Sequence, residues 1–293
     1  MSSLALYLAA VLIWGSTWLA ITFQFGRVPP SVSVACRFAL ASLILFLWCG
    51  VRRLRLRFSI REHGLMAAQG ALLFGLNYVC VYLAETQISS GLVAVIFSLI
   101  VFCNILGTRL FFATPLRPAM LAGASLGVAG VTLIFLPEIG RNTGSRALLG
   151  LAFALVGTVS ASLGNLLSAR NQRRGLPVVQ LNAFGMLYGA LLVGLYAGIR
   201  GDPFVFDGSA HYLLSLGYLA LFGSVLAFGA YLTLVGRIGA DRAGYAAAVI
   251  PIVALILSGL FEGFRWQIGT VAGIALCLAG NVLVLRKRAK PAE

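Results

Sequence analysis

Long apolar runs separated by short polar joints dominate the chain. Ten runs can be marked, at residues 4–25, 31–51, 63–83, 89–112, 118–137, 147–169, 178–199, 212–235, 243–262 and 268–285. Each is close to the roughly 20 residues that a helix needs to cross the hydrocarbon core of a bilayer. The joints carry turn and charge signals, among them Arg27-Val-Pro-Pro30, the cluster Arg52–Arg61, Arg173-Arg-Gly-Leu-Pro177 and Gly239-Ala-Asp-Arg242. The first run has no basic leader and no small-residue cleavage site, so it is expected to stay as the first helix. The pattern predicts an all-α integral membrane protein of ten transmembrane helices.

One stretch recurs. Residues 122–133 and 272–283 share Ala122/Ala272, Gly123/Gly273, Leu126/Leu276, Ala129/Ala279, Gly130/Gly280 and Leu133/Leu283, at a constant offset of 150. Small residues at that spacing lie along one side of a helix and let another backbone approach closely. Weaker correspondences join Leu73-Phe-Gly75 to Leu221-Phe-Gly223, Tyr82-Leu83 to Tyr231-Leu232, and Pro30 to Pro177. The chain therefore reads as a duplicated unit, with halves at 1–140 and 141–293. Five spans per half is an odd number, so equivalent helices cross in opposite directions and form two inverted five-helix repeats. Such an arrangement places a substrate site near mid-depth where the halves meet. The glycine-bearing fifth and tenth helices are then expected to be supports, or a homodimer surface, rather than cavity walls.

Composition agrees. The chain is 60% hydrophobic and 10% charged, with a mean hydropathy of +0.97, whereas soluble domains carry roughly 25% charged residues. The net charge of +14 does not indicate nucleic acid, because the basic residues sit in the joints rather than on one face. Sixteen of the 22 Lys and Arg residues fall on one side of the ten-span scheme, five on the other, and Arg37 within a span. That bias places both termini in the cytoplasm. The five cysteines lie inside apolar runs without metal-ligand spacing or a disulfide pattern. His63 and His211 stand at loop–helix junctions, no nucleophile or carboxylate constellation is legible, and no phosphate-binding Walker sequence occurs. The sequence thus points to no enzyme, metal or cofactor, and to a small-molecule substrate and the lipid bilayer as partners.

The polar and aromatic residues within the spans are the candidates for the site, because polar groups in hydrocarbon need a partner or a water-filled cavity. Trp14, Thr17 and Trp18 share a face of the first span at mid-bilayer depth. Asn77 and Tyr78 lie deep in the third, with Tyr82 one turn on. An asparagine can donate to a carboxylate or accept from an ammonium, which suits a zwitterion. Ser98 and Asn165 join this set, as do Tyr231 and Tyr245 in the second half; interhelical hydrogen bonding is the alternative role for the polar ones. Pro251, inside the ninth span, removes a backbone donor and is expected to kink the helix or act in a gate. Arg37 is expected to snorkel to the outer interface as an anchor. Glu85 and Glu262 are expected to be solvated acids at the outer boundary.

Trp14-Gly-Ser-Thr-Trp18, Pro29-Pro30 followed by Arg37-Phe38, Tyr82-Leu83-Ala84 and the two closing motifs together resemble the EamA-type branch of the drug/metabolite transporter superfamily. The resemblance covers nearly the whole chain and implies an inner-membrane transporter of ten helices in two repeats, often an exporter of amino acids or related metabolites. It leaves open an importer of a vitamin-like or nucleobase-like solute, and a non-transporting scaffold or receptor. The chain departs from the pattern at Gly107-Thr108-Arg109, where a Gly-Glu pair is usual, and in having a proline only in the ninth span.

Overall fold

The computed structural model describes residues 2–112, 118–139, 144–238, 246–264 and 266–285. The described residues are helical throughout, without strands, in ten successive elements: α1 Ser3–Thr22, α2 Pro30–Val51, α3 Ile60–Glu85, α4 (in two pieces, Ser90–Phe97 and Ile100–Phe112), α5 Pro118–Ile139, α6 Gly144–Arg173, α7 Val178–Arg200, α8 (three contiguous pieces, Ala210–Tyr218, Leu219–Leu226 and Ala227–Ile238), α9 Ala246–Phe261 and α10 Ile268–Leu285. Seven helices, α1–α4 and α6–α8, are long and apolar enough to cross a membrane; the apolar stretches of α5, α9 and α10 are shorter.

The ends obey local chemistry. Ser59 and Glu62 cap α3 reciprocally, each side chain taking the other's backbone N–H. Pro30 opens α2 at its first turn, and Pro177 caps α7, where a missing N–H costs nothing. Gly201 stops α7 with φ of 73°, a left-handed conformation that glycine adopts without a Cβ clash.

Two helices contain π segments, Ala71–Leu76 in α3 and Leu219–Leu226 in α8. The repeated triplets Leu73-Phe-Gly75 and Leu221-Phe-Gly223 fall inside them. A π turn displaces the regular hydrogen-bond ladder and leaves carbonyls for outside donors. Leu72 accepts such a bond from Ser160 Oγ of α6 at 2.8 Å, and Gly223 accepts one from Trp14 Nε1 of α1 at 3.1 Å.

The helices pack in a recurring scheme. α5 packs most extensively on α10 and α2 on α7, while α9 lies on both α1 and α4, α3 on α6 and α1 on α8. Glycine makes the α5–α10 contact close: a methyl group added at Gly130 would lie 2.5 Å from the Gly273 carbonyl oxygen, and one at Gly280 would lie 2.5 Å from that of Gly123. The two glycine stripes thus face each other within one chain. Buried apolar side chains of all ten helices form one continuous core around the remaining space.

Candidate functional site

A cavity of about 600 Å³ lies inside this ring of helices, in the range usual for small-molecule sites. Its walls come from α1, α3, α4, α6, α7, α8 and α9. None of the residues that line it belongs to α2, α5 or α10. It extends to the α6–α7 turn, where Gln172 and Val178 reach it, and none of its described lining residues comes from the α3–α4 or α9–α10 connections.

One wall is aromatic. Trp14 packs against Phe228 and Tyr231 with ring centroids 5.2 Å apart in both cases. Trp18 meets Phe97 at 5.3 Å, and Tyr78 meets Phe38 at 4.7 Å. Edge-to-face pairs of this kind contribute roughly 0.5–1.5 kcal/mol beyond area burial and stiffen the wall. Polar groups join the lining from α6, with Asn165, Ser168 and Gln172, and from α7, with Asn182. The described lining includes no charged side chain.

Of the residues singled out from sequence, Trp14, Thr17, Trp18, Asn77, Tyr78, Ser98, Asn165, Tyr231 and Pro251 all border this cavity. Their polar atoms are not equally available. The Trp14 indole N–H is held by Gly223, and Thr17 Oγ1 donates to the Trp14 carbonyl at 2.7 Å. Asn77 Nδ2 donates to Leu73 at 3.1 Å, while its Oδ1 is buried against Gly157 without a hydrogen-bond partner. Ser98 marks the interruption of α4; it donates to the Val95 carbonyl at 2.6 Å and accepts from Asn281 Nδ2 of α10 at 3.0 Å. Asn165 and Asn182, by contrast, make no side-chain hydrogen bond to the described residues. Asn182 was not anticipated, although a lone asparagine in an otherwise apolar run was a usable signal.

Tyr82 lies off the cavity. It is fully buried and donates to Gln24 Oε1 at 2.6 Å, since the turn from Tyr78 to Tyr82 carries it past the wall into the packing behind α1. Tyr245 lies outside the described residues. Pro251 sits within α9 and on the wall.

Arg37 and Glu85 depart from expectation. Arg37 is 1% exposed and does not snorkel. Its guanidinium lies 4.6 Å from the Tyr78 ring centre and 5.3 Å from that of Phe38, and Nε donates to Ser224 Oγ at 3.3 Å. A desolvated cation–π contact contributes about 2 kcal/mol, so the rings hold the charge inside. Glu85, the last residue of α3, is 8% exposed rather than solvated, and neither carboxyl oxygen finds a hydrogen-bond partner among the described residues. Glu262, from the end of α9, accepts from Ser90 N–H at 3.2 Å and from Ser90 Oγ at 2.5 Å, tying α9 to the start of α4.

Comparison with known proteins adds the kinship. The EamA-like transporter family model matches residues 1–136 and 148–286. The chain belongs to the EamA-like transporter family. Among relatives, it is 30% identical over 251 residues to a protein of Escherichia coli K12 described as the uncharacterized inner membrane transporter YedA, covering 85% of this chain and 79% of that one. It is 24% identical to the protein PagO of Salmonella typhimurium, over 98% of this chain and 93% of the other. The uncharacterized transporter YoaV of Bacillus subtilis is also 24% identical, covering 93% of each chain. A crystal structure at 20% identity superposes with a TM-score of 0.68 over 97% of this chain and 96% of its own, a likeness of fold. EamA membership, the inner-membrane relatives and the apolar helices make this a multi-pass plasma-membrane protein of the transporter type.

Proposed function

We propose that the chain is a secondary transporter of the bacterial inner membrane that exports amino acids or related small metabolites by alternating access. Its two five-helix halves would be inverted relative to each other, with both termini in the cytoplasm. The observation that carries this reading is the cavity whose described lining is uncharged, combines aromatic and amide side chains, and comes from helices of both halves. A solute that is neutral overall can enter such a cavity without leaving an uncompensated charge in low dielectric. Asn165 and Asn182 would satisfy its polar groups, and the aromatic wall would hold its apolar part.

The packing scheme supports the repeat. At an offset of five helices, α2 pairs with α7, α4 with α9 and α5 with α10, and the α3–α6 contact has its counterpart in α8–α1. A pseudo-two-fold axis in the membrane plane produces such a set. The basic bias places the α6–α7 turn in the cytoplasm, so this conformation would have its cavity reaching the inside while the α3–α4 end is closed.

The test is an efflux assay over a panel of labelled amino acids, vitamins and nucleobases, in cells lacking other exporters. Loss of intracellular label on expression, reduced by Asn182→Ala at normal membrane abundance, is expected. Accumulation of label would replace export by import. No movement of any panel member in either direction would favour a scaffold.

A further inference from the structure

Six buried polar atoms that find no hydrogen-bond partner lie on five residues toward the α3–α4 end: Gln24 Nε2, Arg37 Nη1, both carboxyl oxygens of Glu85, Ser89 Oγ and Ser258 Oγ. They belong to one connected region. Gln24 takes the Tyr82 hydroxyl, one turn before Glu85. Glu85 ends α3, and Ser90 opens α4 five residues later. Glu262 holds Ser90, and a methyl group at the next residue, Gly91, would touch Ser258 Cβ at 2.9 Å. This region is separate from the cavity lining and is not used by the transport reading.

The two carboxyl groups are treated differently by their surroundings. Glu262 accepts two hydrogen bonds from Ser90, the environment of an ionised carboxylate. Glu85 receives none, and burial without donors costs an ionised group several kcal/mol. Two carboxyls within electrostatic reach in low dielectric share a proton rather than both ionise. The remaining titratable neighbours do not take that proton. Arg37 stays cationic on the Tyr78 and Phe38 rings, the Tyr82 phenol is spent on Gln24, and Arg27 and Arg146 are exposed at their helix ends.

We propose that Glu85 is a proton-binding site that locks the α3–α4 end closed. With the proton in place, Glu262 carries the pair's single negative charge and grips Ser90. When Glu85 gives the proton to water (the carboxylic acid becoming carboxylate and hydronium), a second negative charge is added at the end where Glu262, at the end of α9, holds Ser90 of α4. Repulsion between the two charges favours separation of α4 from α9. Opening at this end would therefore be suppressed in acid and released as pH rises. The proposal rests on the alternating-access reading only for the meaning of opening; its test needs no solute.

The experiment uses the full chain in nanodiscs, with its five cysteines replaced and Ser258→Cys added as a buried reporter in the α4–α9 contact. Reaction with a maleimide is followed over pH, with Glu85→Gln on the same background supplying the intrinsic pH response of the thiol. Labelling of the Glu85 protein is expected to exceed that of E85Q by about tenfold in mild alkali, a factor usual for coupled sites, and to converge with it in acid. Glu262→Gln, which removes both grip and repulsion, is expected to label readily at every pH. Difference infrared spectra should show a protonated-carboxyl band that titrates and is missing in E85Q; Glu85→Met, which also lacks the carboxyl, serves if E85Q fails to fold. Equal labelling of the Glu85 and E85Q proteins at all pH values, or a carboxyl band unchanged by E85Q, would overturn the proposal and leave the transport reading untouched. A titrating latch in a chain that moves no panel solute would instead overturn the transport reading alone.

Discussion

The α5–α10 pair and the cavity wall are made of equally apolar helices, yet they use them in opposite ways. In α5 and α10 the small residues face each other, and backbone meets backbone at Gly123, Gly130, Gly273 and Gly280. Around the cavity the facing positions are large, aromatic or amide-bearing, and space remains between them. Lipid tails are as apolar as leucine, so hydrophobicity cannot hold membrane helices together; close packing must. The pair that gives up side-chain volume gains rigidity, and the ring that keeps bulky side chains leaves room for a solute. The difference lies first in residue size: glycine closes the α5–α10 contact, and larger side chains leave space within the ring.

The sharpest way to break the contrast is to put volume where there is none. Gly130→Leu should abolish most folded yield, and even Gly130→Ala should lower it, because the obstacles are the Gly273 oxygen and the Cys277 backbone nitrogen. Overpacking of this kind costs about 1–3 kcal/mol or more. Fluorescence-detected size exclusion reads the outcome, with Gly198→Ala as control, since a methyl group there meets nothing within 4 Å. Normal yield from Gly130→Leu would show that α5 and α10 are not tightly packed supports.

Changes to the wall should spare folding and alter transport. Asn182→Ala removes an amide with no protein partner, so the midpoint of thermal unfolding should hold while apparent solute affinity falls roughly tenfold, as for a lost hydrogen bond of 1–1.5 kcal/mol. Retained transport kinetics would remove Asn182 from the solute's contacts. Trp14→Phe keeps the ring contacts with Phe228 and Tyr231 but loses the bond to Gly223. It should reduce turnover more than affinity, because the link joins α1 to the π segment of α8. A purely affinity-based change would make Trp14 a solute contact instead.

Asn281→Ala is a smaller test. It deletes the bond from α10 to Ser98 at the α4 interruption, worth about 0.6 kcal/mol on average between membrane helices, so a slight fall in thermal stability is expected. Smallest of all is the acid response of the loop before α8. Asp207 accepts from the Ser209 N–H at 2.9 Å, which holds its carboxyl below the usual range. Its contribution is present above the unfolded-state value and is lost as pH falls through the lower folded one. Asp207→Asn should therefore flatten a slight acid-side decline in melting temperature, measured against the parent.

Much of the bundle was legible because a bilayer leaves few options. A run of about 20 apolar residues must form a helix to satisfy its own backbone. The predicted spans consequently match the observed helices to within about three residues at most ends, the precision usual for such boundaries. The depth of Trp14, Asn77, Tyr78 and Asn165 followed from counting along those spans, and all four border the cavity. Counting could not tell which side of a helix continued inward beyond one turn, which is why Tyr82 belongs to the packing and not to the wall.

The sequence alone determined the apolar helices, the basic asymmetry between their ends and the duplicated glycine stripe, because these depend on composition and spacing within a single stretch of chain. Tertiary structure decided which stripe met which, and whether a charge faced lipid, water or protein. Arg37 looked like an anchor near the end of a span, but the rings of Tyr78 and Phe38 enclose it. Glu85 looked like a solvated loop acid, but it is 8% exposed, at the end where Glu262 grips Ser90 at a sequence separation of 172. Burial of a side chain is a property of its neighbours in space, and for these two residues the neighbours come from distant parts of the chain.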